Sequence, residues 1–476
     1  MAGVEHVISM EQTLSRKVER TEAGETSGGH DQPVIATEAS EKLSIAVHEK
    51  VCTSPLGQRF KKLRDAGANQ AETRPKIQKV VFLLQEQTNF QKYYEPRVVS
   101  LGPIHHGKSK YQQAENYKLR LAQAFVSDSG KSDEYIYGQI EKNIEQLKEY
   151  FDEEVIKKYD NETLAWMLFV DGCAILQFIY FTVKYKFSEF KIKNDQLAFA
   201  QQDLFLLENQ LPYQLLKDLM KISARKQELK NGIRDFITSH SKVPEKDGND
   251  RKRTPIHLLD LLRTRLLGSN VNTTSKKDWQ SFRNVVELKA AGIKLKPSNC
   301  NHLTNISLTR RWNFYPGFLS LPPITVDDST GPKFLNLIAF EMCPDFENNY
   351  GVTSYICFLD SLIDEANDVI ELRKARILSN LLGSDQEVAQ LFNEIGRDLV
   401  PNPKIYSHVR TQIQEYYDKK LMTWLSQFIH NHFSSPWTFL AFLGALLALA
   451  LSAVQTWYTI DSPPGPCDDF CKHYPH

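Results

Sequence analysis

The chain has 476 residues, which is enough for a sizeable core and for more than one domain. Lys+Arg and Asp+Glu both number 58, so the net charge is zero and the composition does not favour nucleic acid as a partner. The seven cysteines are scattered, and the absence of any C-x-x-C pair excludes a zinc ribbon or a thioredoxin-type site.

The N-terminal part of the chain has no pattern of a folded element. Residues 1–40 are rich in Glu, Ser and Thr and lack the apolar stretch of a secretory signal, so we predict a disordered leader. Residues 41–74 are predicted to form a linker. Within it, Leu43, Val47 and Val51 recur at four-residue spacing and indicate a short helix.

The stretch G-P-I-H-H-G-K-S, residues 102–109, satisfies the pattern G-x-x-x-x-G-K-[ST] of phosphate-binding loops. An apolar run at 98–101 is a candidate for the preceding strand. In such a loop, backbone N–H groups hold phosphates, and a lysine, a hydroxyl and a distant aspartate complete the site. This alternative makes the chain a nucleotide-binding NTPase that uses Gly102, Gly107, Lys108, Ser109 and Asp171.

Three observations argue against this alternative. Pro103 has no N–H, and the bulky residues that follow it hinder a close approach of the backbone to phosphate. Asp171 continues into a helical pattern and does not end a strand. Between Ser109 and Asp171 there is no strand pattern, whereas P-loop domains alternate strands with helices.

Two adjacent histidines, His105 and His106, lie in the same stretch. On an extended segment neighbouring side chains point to opposite sides, so such a pair rarely binds one metal. No H-E-x-x-H or G-x-S-x-G signature accompanies them. We therefore expect the rings to satisfy backbone groups where a short strand turns into a helix, and we expect no cofactor, no metal and no catalytic residue.

Helical periodicity dominates the middle of the chain. Helices are predicted over 110–126, 135–151, 164–183, 201–220, 257–267, 355–378 and 406–429. The stretch 164–183 is apolar nearly all round, but Asp171 at its centre would cost about 3 kcal/mol in lipid, so a buried core helix is favoured. Strand patterns occur at 305–314 and 318–328. The predicted fold class is mainly α: a helix-rich globular domain with a few short strands.

The predicted helix at 201–220 contains the sequence L-L-E-N-Q-L-P. Pro212 is expected to kink it or to start a new helix. Glu208, Asn209 and Gln210 are polar residues among apolar ones, and buried polar groups need partners. We expect them to bond the backbone opened by the proline, or the His105-His106 turn; surface binding is the alternative.

The C-terminal region carries the strongest physical feature. No charged residue occurs between Lys420 and Asp461, and the apolar stretch there reaches the ~20 residues that a bilayer core requires. Aromatic residues lie at both of its edges, as in a membrane interface. We predict a transmembrane helix at 434–460 that contacts the lipid bilayer through 437–460, followed by a short tail at 461–476.

Several stretches resemble, in order, the motifs of a large plant family. P-R-V-V-S-L-G-P-I-H-H-G-K, the hallmark segment at 96–108, is similar to the family pattern P-x-V-V-S-I-G-P-Y-H-H-G-K. M-L-F-V-D-G-C-A-I-L at 167–176 and D-L-F-L-L-E-N-Q-L-P-Y-Q-L-L at 203–216 are similar to two later motifs. The chain is thereby identified as a member of domain of unknown function 247, also called uncharacterised protein family 0481. It departs at Ile104, usually aromatic, and at Ala174, usually Phe.

The resemblance implies a helical, single-pass membrane protein of plants, with its family domain at 75–433 and no established activity. Some grass members are associated with self-incompatibility, so recognition or signalling is the leading class by analogy. In the family the residue after G-K varies, so Ser109 completes the phosphate-loop pattern by accident. A structural role is implied for the motif residues His105, His106, Asp171, Gly172, Glu208, Asn209, Gln210 and Pro212.

Charge around the apolar span predicts its orientation. The basic residues Lys404, Arg410, Lys419 and Lys420 precede the span and only Lys472 follows it. Because positive charge prefers the cytosolic side, the large domain is expected in the cytosol, at the plasma membrane or an endomembrane. The tail cysteines Cys467 and Cys471 would then face an oxidising compartment.

The alternative orientation places the domain outside the cell. It draws on three sequons for N-glycosylation, at Asn161, Asn272 and Asn305. The expected partner is an unidentified protein. Small residues on the span fit homo- or hetero-oligomers; these are Gly444, Ala445 and Ala448.

Overall fold

The computed structural model describes residues 55–68, 74–190, 192–244, 253–268, 283–310, 316–347, 349–418 and 436–460. The predicted leader, the 43–51 repeat, Asn272 and the tail cysteines lie outside the described residues. The chain divides into two units, Met1–Glu72 and Thr73–His476. In the first unit, helix α1 spans Pro55–Ala68.

The second unit begins with a helical half. Its helices in chain order are α2 (Phe82–Gln85), α3 (Phe90–Tyr94), α4 (Gln112–Ser129), α5 (Asp133–Lys142), α6 (Ile144–Lys148), α7 (Glu153–Ile156), α8 (Asn161–Lys184), α9 (Asn194–Asp203), α10 (Tyr213–Ile222), α11 (Lys226–Ser241) and α12 (Leu258–Leu267). Short 3-10 turns occur at Ser109–Tyr111 and Phe187–Phe190.

Helix α8 is the centre of this half. From Leu164 to Tyr180 every side chain except Trp166 is buried, because α4, α5, α10 and α11 pack around the helix. Gly172 permits the close approach of α10, since a Cβ at this position would lie 2.7 Å from Leu219 Cδ1. The prediction of a buried core helix is confirmed.

The rest of the domain mixes helices with short strands. Its helices are α13 (Val285–Ala290), α14 (Thr330–Glu341), α15 (Gly351–Leu362), α16 (Ala366–Lys374), α17 (Asp385–Ile395) and α18 (Ser407–Asp418). Its strands are β1 (Lys294–Pro297), β2 (Ser307–Thr309), β3 (Phe318–Leu321), β4 (Ile324–Val326) and β5 (Leu378–Asn380).

The strands form two small sheets. β3 pairs in parallel with β1 and antiparallel with β2, with Leu319 opposite both Leu295 and Leu308. β4 pairs in parallel with β5, with Ile324 opposite Leu378. The described residues are thus mainly helical with a few short strands, which confirms the predicted fold class.

The predicted strand at 98–101 is wrong. The segment is extended, but its N–H groups bind the side chains of Asp203 and Asn209 and have no neighbouring strand. The patterns at 305–314 and 318–328 were placed correctly, since they contain β2, β3 and β4.

Three predicted helices are broken. The helix at 135–151 is interrupted at Asn143, whose side-chain amide donates to the carbonyl of Gln139. The helix at 355–378 is interrupted before α16, where the Asp368 carboxylate accepts the N–H groups of residues 364 and 365. The helix at 201–220 is interrupted from 204 to 212, and a new helix, α10, begins after Pro212. Of the two expectations for the proline, a kink or a new helix, the second is confirmed.

Helix α19 (Pro436–Ile460) is the predicted transmembrane segment. Its 25 residues span about 37 Å at 1.5 Å per residue. It and α8 are the two helices of the described chain that are long and apolar enough to cross a membrane. Helix α8 is buried in the domain, whereas the described side chains of α19 are exposed. The chain therefore has one C-terminal helix with the length and composition of a membrane span.

Candidate functional site

The polar residues of the three motifs meet inside the helical half. The Asp171 carboxylate on α8 accepts the N–H of Gly102 at 2.8 Å and the ammonium of Lys118 at 2.6 Å. Lys118, on α4, also donates to the carbonyl of Ser100 at 2.9 Å. Burial lowers the pKa of Lys118, but the carboxylates of Asp171 and Glu115 outweigh it and hold that pKa above its usual value.

Asp203, at the end of α9, holds the first part of the hallmark segment. One carboxylate oxygen accepts the N–H of Arg97 at 2.9 Å, and the other accepts those of Val98 and Val99 at 2.8 and 2.9 Å. Burial raises the pKa of Asp203 to about 6, against the lowering effect of these three hydrogen bonds.

Asn209 holds the next part of the same segment. Its side-chain oxygen accepts the N–H of Leu101 at 2.7 Å, and its amide donates to the carbonyls of Val99 at 3.1 Å and Asp203 at 2.9 Å. Asp203 and Asn209 thus supply the hydrogen bonds that a neighbouring strand would otherwise supply.

Glu208 connects the hallmark segment to residues before it. One carboxylate oxygen accepts the N–H of Val80 at 2.9 Å. The other lies 3.0 Å from Nε2 of His105, which is ion-pair distance without the angles of a hydrogen bond. His105 is buried and packs edge-on against Tyr111.

Gln210 connects the turn at 204–212 to α12. Its side-chain oxygen accepts the N–H of Leu259 at 3.1 Å, and its amide donates to the carbonyls of Leu204 and Leu206, both at 2.8 Å. Asn336 on α14 accepts the N–H of Leu207 at 2.8 Å. Because these amides replace helical hydrogen bonds, the turn is stable without helical geometry.

Two glycines of the hallmark segment have left-handed backbones, with φ of +67° at Gly102 and +81° at Gly107. A Cβ on Gly102 would lie 2.9 Å from the carbonyl oxygen of Gln210, whereas one on Gly107 would meet nothing within 4 Å. Gly102 is therefore required by both conformation and packing, and Gly107 by conformation alone.

His106 lies on the other side of the turn from His105. Its ring packs edge-on against Tyr159, whose hydroxyl donates to the carbonyl of Pro103 at 2.8 Å. Within the described residues His106 Nδ1 is buried without a hydrogen-bond partner. The two histidines thus contact different neighbours, as expected for adjacent side chains. The expectation that the rings satisfy backbone groups is wrong for His105, because neither of its ring nitrogens has a hydrogen-bond partner among the described residues.

The hallmark segment lacks the geometry of a phosphate loop. Nζ of Lys108 lies 3.6 Å from Glu95, and Ser109 begins a 3-10 turn of three residues. Asp171, the candidate magnesium ligand, is bonded to Gly102 and Lys118. In the described part of the chain no strand precedes the loop, and both sheets are formed by residues after 293.

The described residues were also compared with the requirements of a metal site and of a reactive cysteine. No three His, Cys, Asp or Glu side chains among them are grouped as metal ligands. Burial raises the pKa of Cys173 and Cys343, and raises that of Cys357 to about 11. Because the thiolate is the nucleophile, these cysteines are poor candidates for covalent chemistry.

Sequence reasoning did not assign roles to Lys118 or Asp203. Lys118 follows Ala114 by four residues and precedes Leu121 by three, so it lies on the apolar face of α4. A lysine on such a face indicates a buried partner, although the pattern does not identify Asp171. Asp203 lies directly before the apolar turn at 204–212. The sequence pattern placed it in the predicted helix at 201–220 and indicated no role for its carboxylate.

The described sequons lie at a helix start and in a loop. Asn161 is exposed at the first residue of α8, and its side-chain amide donates to Glu145 at 2.7 Å. Asn305 is half-buried, and its amide donates to the carbonyl of Cys300 at 3.4 Å.

The fold and the site together define a helical domain whose motif side chains bind its own backbone, with an apolar helix near the C-terminus. A family model described as DUF247, plant protein of unknown function, matches residues 77–451. The chain belongs to this family.

Two curated relatives from Arabidopsis thaliana are similar to this chain. UPF0481 protein At3g47200 is 29% identical over 413 residues, which cover 78% of this chain and 83% of the relative. UPF0481 protein At3g02645 is 26% identical over 180 residues, which cover 37% of this chain and 33% of the relative. No solved structure matches the chain.

Proposed function

We propose that this protein is a membrane-anchored interaction protein of recognition or signalling, without catalytic activity. The proposal rests on one observation: the motif side chains form their hydrogen bonds and ion pairs inside the domain. Asp171, Asp203, Asn209 and Gln210 are buried and bind backbone groups or Lys118. Catalysis requires polar groups that can reach a substrate, and these motif groups are already engaged inside the domain.

An exposed tryptophan supports contact with another protein. Trp166 on α8 is 54% exposed and packs against Tyr137 and Phe169, with ring centroids 6.3 and 5.5 Å away. Tryptophan and tyrosine dominate the binding energy of many protein interfaces. We take Trp166 as the anchor of a partner.

The experiment compares Trp166→Ala with Val400→Ser, a control at a position that is 78% exposed. Proximity labelling by the full-length protein in plant membranes should recover a defined protein set. The alanine variant is expected to lose part of that set while the serine variant keeps it. Identical sets for both variants would contradict the role of Trp166.

A second experiment tests the absence of catalysis. The purified full-length protein is assayed with nucleotides, esters and peptides, and ATP binding is followed by calorimetry in the wild type and Lys108→Ala. We expect no turnover and no heat of binding. Turnover that one polar substitution abolishes, or ATP binding that Lys108→Ala removes, would instead support the NTPase alternative.

The proposed orientation places the large domain in the cytosol, on the charge asymmetry around α19. Protease protection of sealed membrane vesicles, with glycosidase treatment in parallel, tests it. We expect the domain to be digested from the cytosolic side and its mobility to be unchanged by glycosidase. A mobility shift that is lost in Asn161→Gln, Asn272→Gln or Asn305→Gln would contradict the proposed orientation and support a domain outside the cell.

The apolar helix also suits an oligomer. Gly444 has open space at its Cβ position, and small residues such as Gly444, Ala445 and Ala448 let membrane helices approach closely. Crosslinking of the full-length protein in membranes is expected to give oligomers that Gly444→Ile weakens. Unchanged crosslinking in this variant would exclude the small-residue face as the contact.

A further inference from the structure

A groove opens beside the hallmark segment, between α4, α8 and α9. Its cavity volume is about 210 Å³. This is below the roughly 300–1,000 Å³ of sites for drug-sized ligands, so the groove suits a small ligand. The groove is separate from the exposed face that carries Trp166, which does not line it.

The walls of the groove are mainly apolar. α4 contributes Leu121, α8 contributes Ala174, Ile175 and Phe178, and α9 contributes Leu197. Apart from Leu197, which is half-buried, these side chains are at most 7% exposed. A ligand that fills the groove therefore gains apolar contacts along most of its length.

The charged side chains that line the groove are all basic: Arg97, Lys110 and Lys118. Lys118 is engaged by Asp171 and Lys110 by Glu95, at 2.6 and 2.9 Å. These two lysines therefore already have anionic partners.

Arg97 differs from the two lysines. Its guanidinium lies 5.1 Å from the centroid of the Phe199 ring, and within the described residues no carboxylate forms an ion pair with it. The groove thus combines apolar walls with an exposed arginine among its lining residues. The Asp203 carboxylate acts on this arginine electrostatically but does not form an ion pair with it.

We propose that this groove binds a small amphiphilic carboxylate, with its apolar chain between α4, α8 and α9 and its carboxylate on Arg97. The planar guanidinium fork matches the two oxygens of a carboxylate. The proposal is independent of the proposed interaction function, because it concerns a different surface and a small molecule.

The binding experiment uses the full-length protein in lipid nanodiscs and radiolabelled dodecanoate as the probe. Empty nanodiscs measure the probe that enters the lipid, and the difference gives binding to the protein. We expect saturable binding at one site per chain. Binding no greater than that of empty nanodiscs overturns the proposal.

Competition identifies which part of the ligand is recognised. Unlabelled dodecanoate should displace the probe, dodecanol should do so on the order of tenfold more weakly because it lacks the charge, and butyrate should not displace it. Equal competition by dodecanol, or tighter binding of dodecyl phosphate than of dodecanoate, overturns the assignment of a carboxylate.

Two variants test the location. Ala174→Phe fills the groove and should weaken dodecanoate binding by on the order of tenfold or more. The control Ala198→Phe is on α9 at an exposed position outside the groove and should bind as the wild type does. Arg97→Gln, an exposed change, should weaken dodecanoate on the order of tenfold and leave dodecanol unchanged.

Thermal unfolding of each variant identifies loss of fold. If Ala174→Phe does not fold, Arg97→Gln still decides the matter. Wild-type affinity in Arg97→Gln, or in folded Ala174→Phe, overturns the proposal.

Discussion

The buried ion pair between Lys118 and Asp171 gives the sharpest prediction of stability. Asp171→Asn keeps the size of the side chain and one oxygen for the N–H of Gly102. It leaves the Lys118 ammonium, which is 3% exposed, with Glu115 as its remaining carboxylate at 2.8 Å. Breaking one partner of a buried pair costs about 3–5 kcal/mol. Because Glu115 remains, we expect about 3 kcal/mol.

A matched control isolates the effect of burial. Asp218 and Lys221 also lie 2.6 Å apart, but their side chains are 40% and 50% exposed. Exposed pairs contribute roughly 0–1 kcal/mol, so Asp218→Asn should change the free energy of unfolding by less than about 1 kcal/mol. Both variants exchange a carboxylate for an amide at the same separation, and burial is the main difference between them.

Urea unfolding of the full-length protein in nanodiscs, followed by circular dichroism, measures both changes. A lower midpoint with an unchanged slope reports stability alone. Adding Lys118→Met to Asp171→Asn should recover part of the loss, because the buried ammonium that had lost a partner is then removed. If Asp171→Asn costs no more than Asp218→Asn, the reasoning about the buried pair is refuted.

The same urea assay checks three further predictions. Asn209→Leu leaves the N–H of Leu101 without its acceptor and should cost about 1–3 kcal/mol; unchanged stability with lost partner binding would support the surface alternative. Gly102→Ala should cost about 1–3 kcal/mol and more than Gly107→Ala, which meets no neighbour; equal costs would contradict the packing argument. Asp203 has a folded pKa of about 6, above the usual ~3.9. The folded state therefore binds the extra proton, and the contribution of Asp203 to stability should fall as pH rises from about 4 to about 6. Subtracting the profile of Asp203→Asn isolates this slope, and a difference that rises with pH would refute it.

Many of the helices could be predicted because the spacing of apolar residues along the chain indicates which face of a helix is buried. The stretch that became α8 is apolar on every side, and an aspartate at its centre is incompatible with lipid, so a core helix followed. The partner of that aspartate could not be predicted. Lys118 lies 53 residues earlier in the chain, and periodicity carries no information on which buried faces meet.

The turn at 204–212 was predicted as a helix for a physical reason. Leu204, Leu207 and Leu211 have helical spacing and are all buried, so their pattern fits a helix although the backbone is not helical. The side chains of Asn209 and Gln210 bind the carbonyls that a helix would have used. Such local competition between side chain and backbone leaves the apolar pattern unchanged, so periodicity alone does not detect it.

The G-x-x-x-x-G-K-S string does not form a phosphate loop, because its backbone already has hydrogen-bond partners. A phosphate loop must present N–H groups that its own chain leaves unbound. Here the N–H of Gly102 binds Asp171, that of Leu101 binds Asn209, and those of residues 97–99 bind Asp203. The oxygen acceptors for this backbone therefore come from inside the domain. The hallmark segment is held by side chains of α8, α9 and the 204–212 turn. Gly102 and these polar side chains therefore stabilise the fold and are not free to bind a ligand.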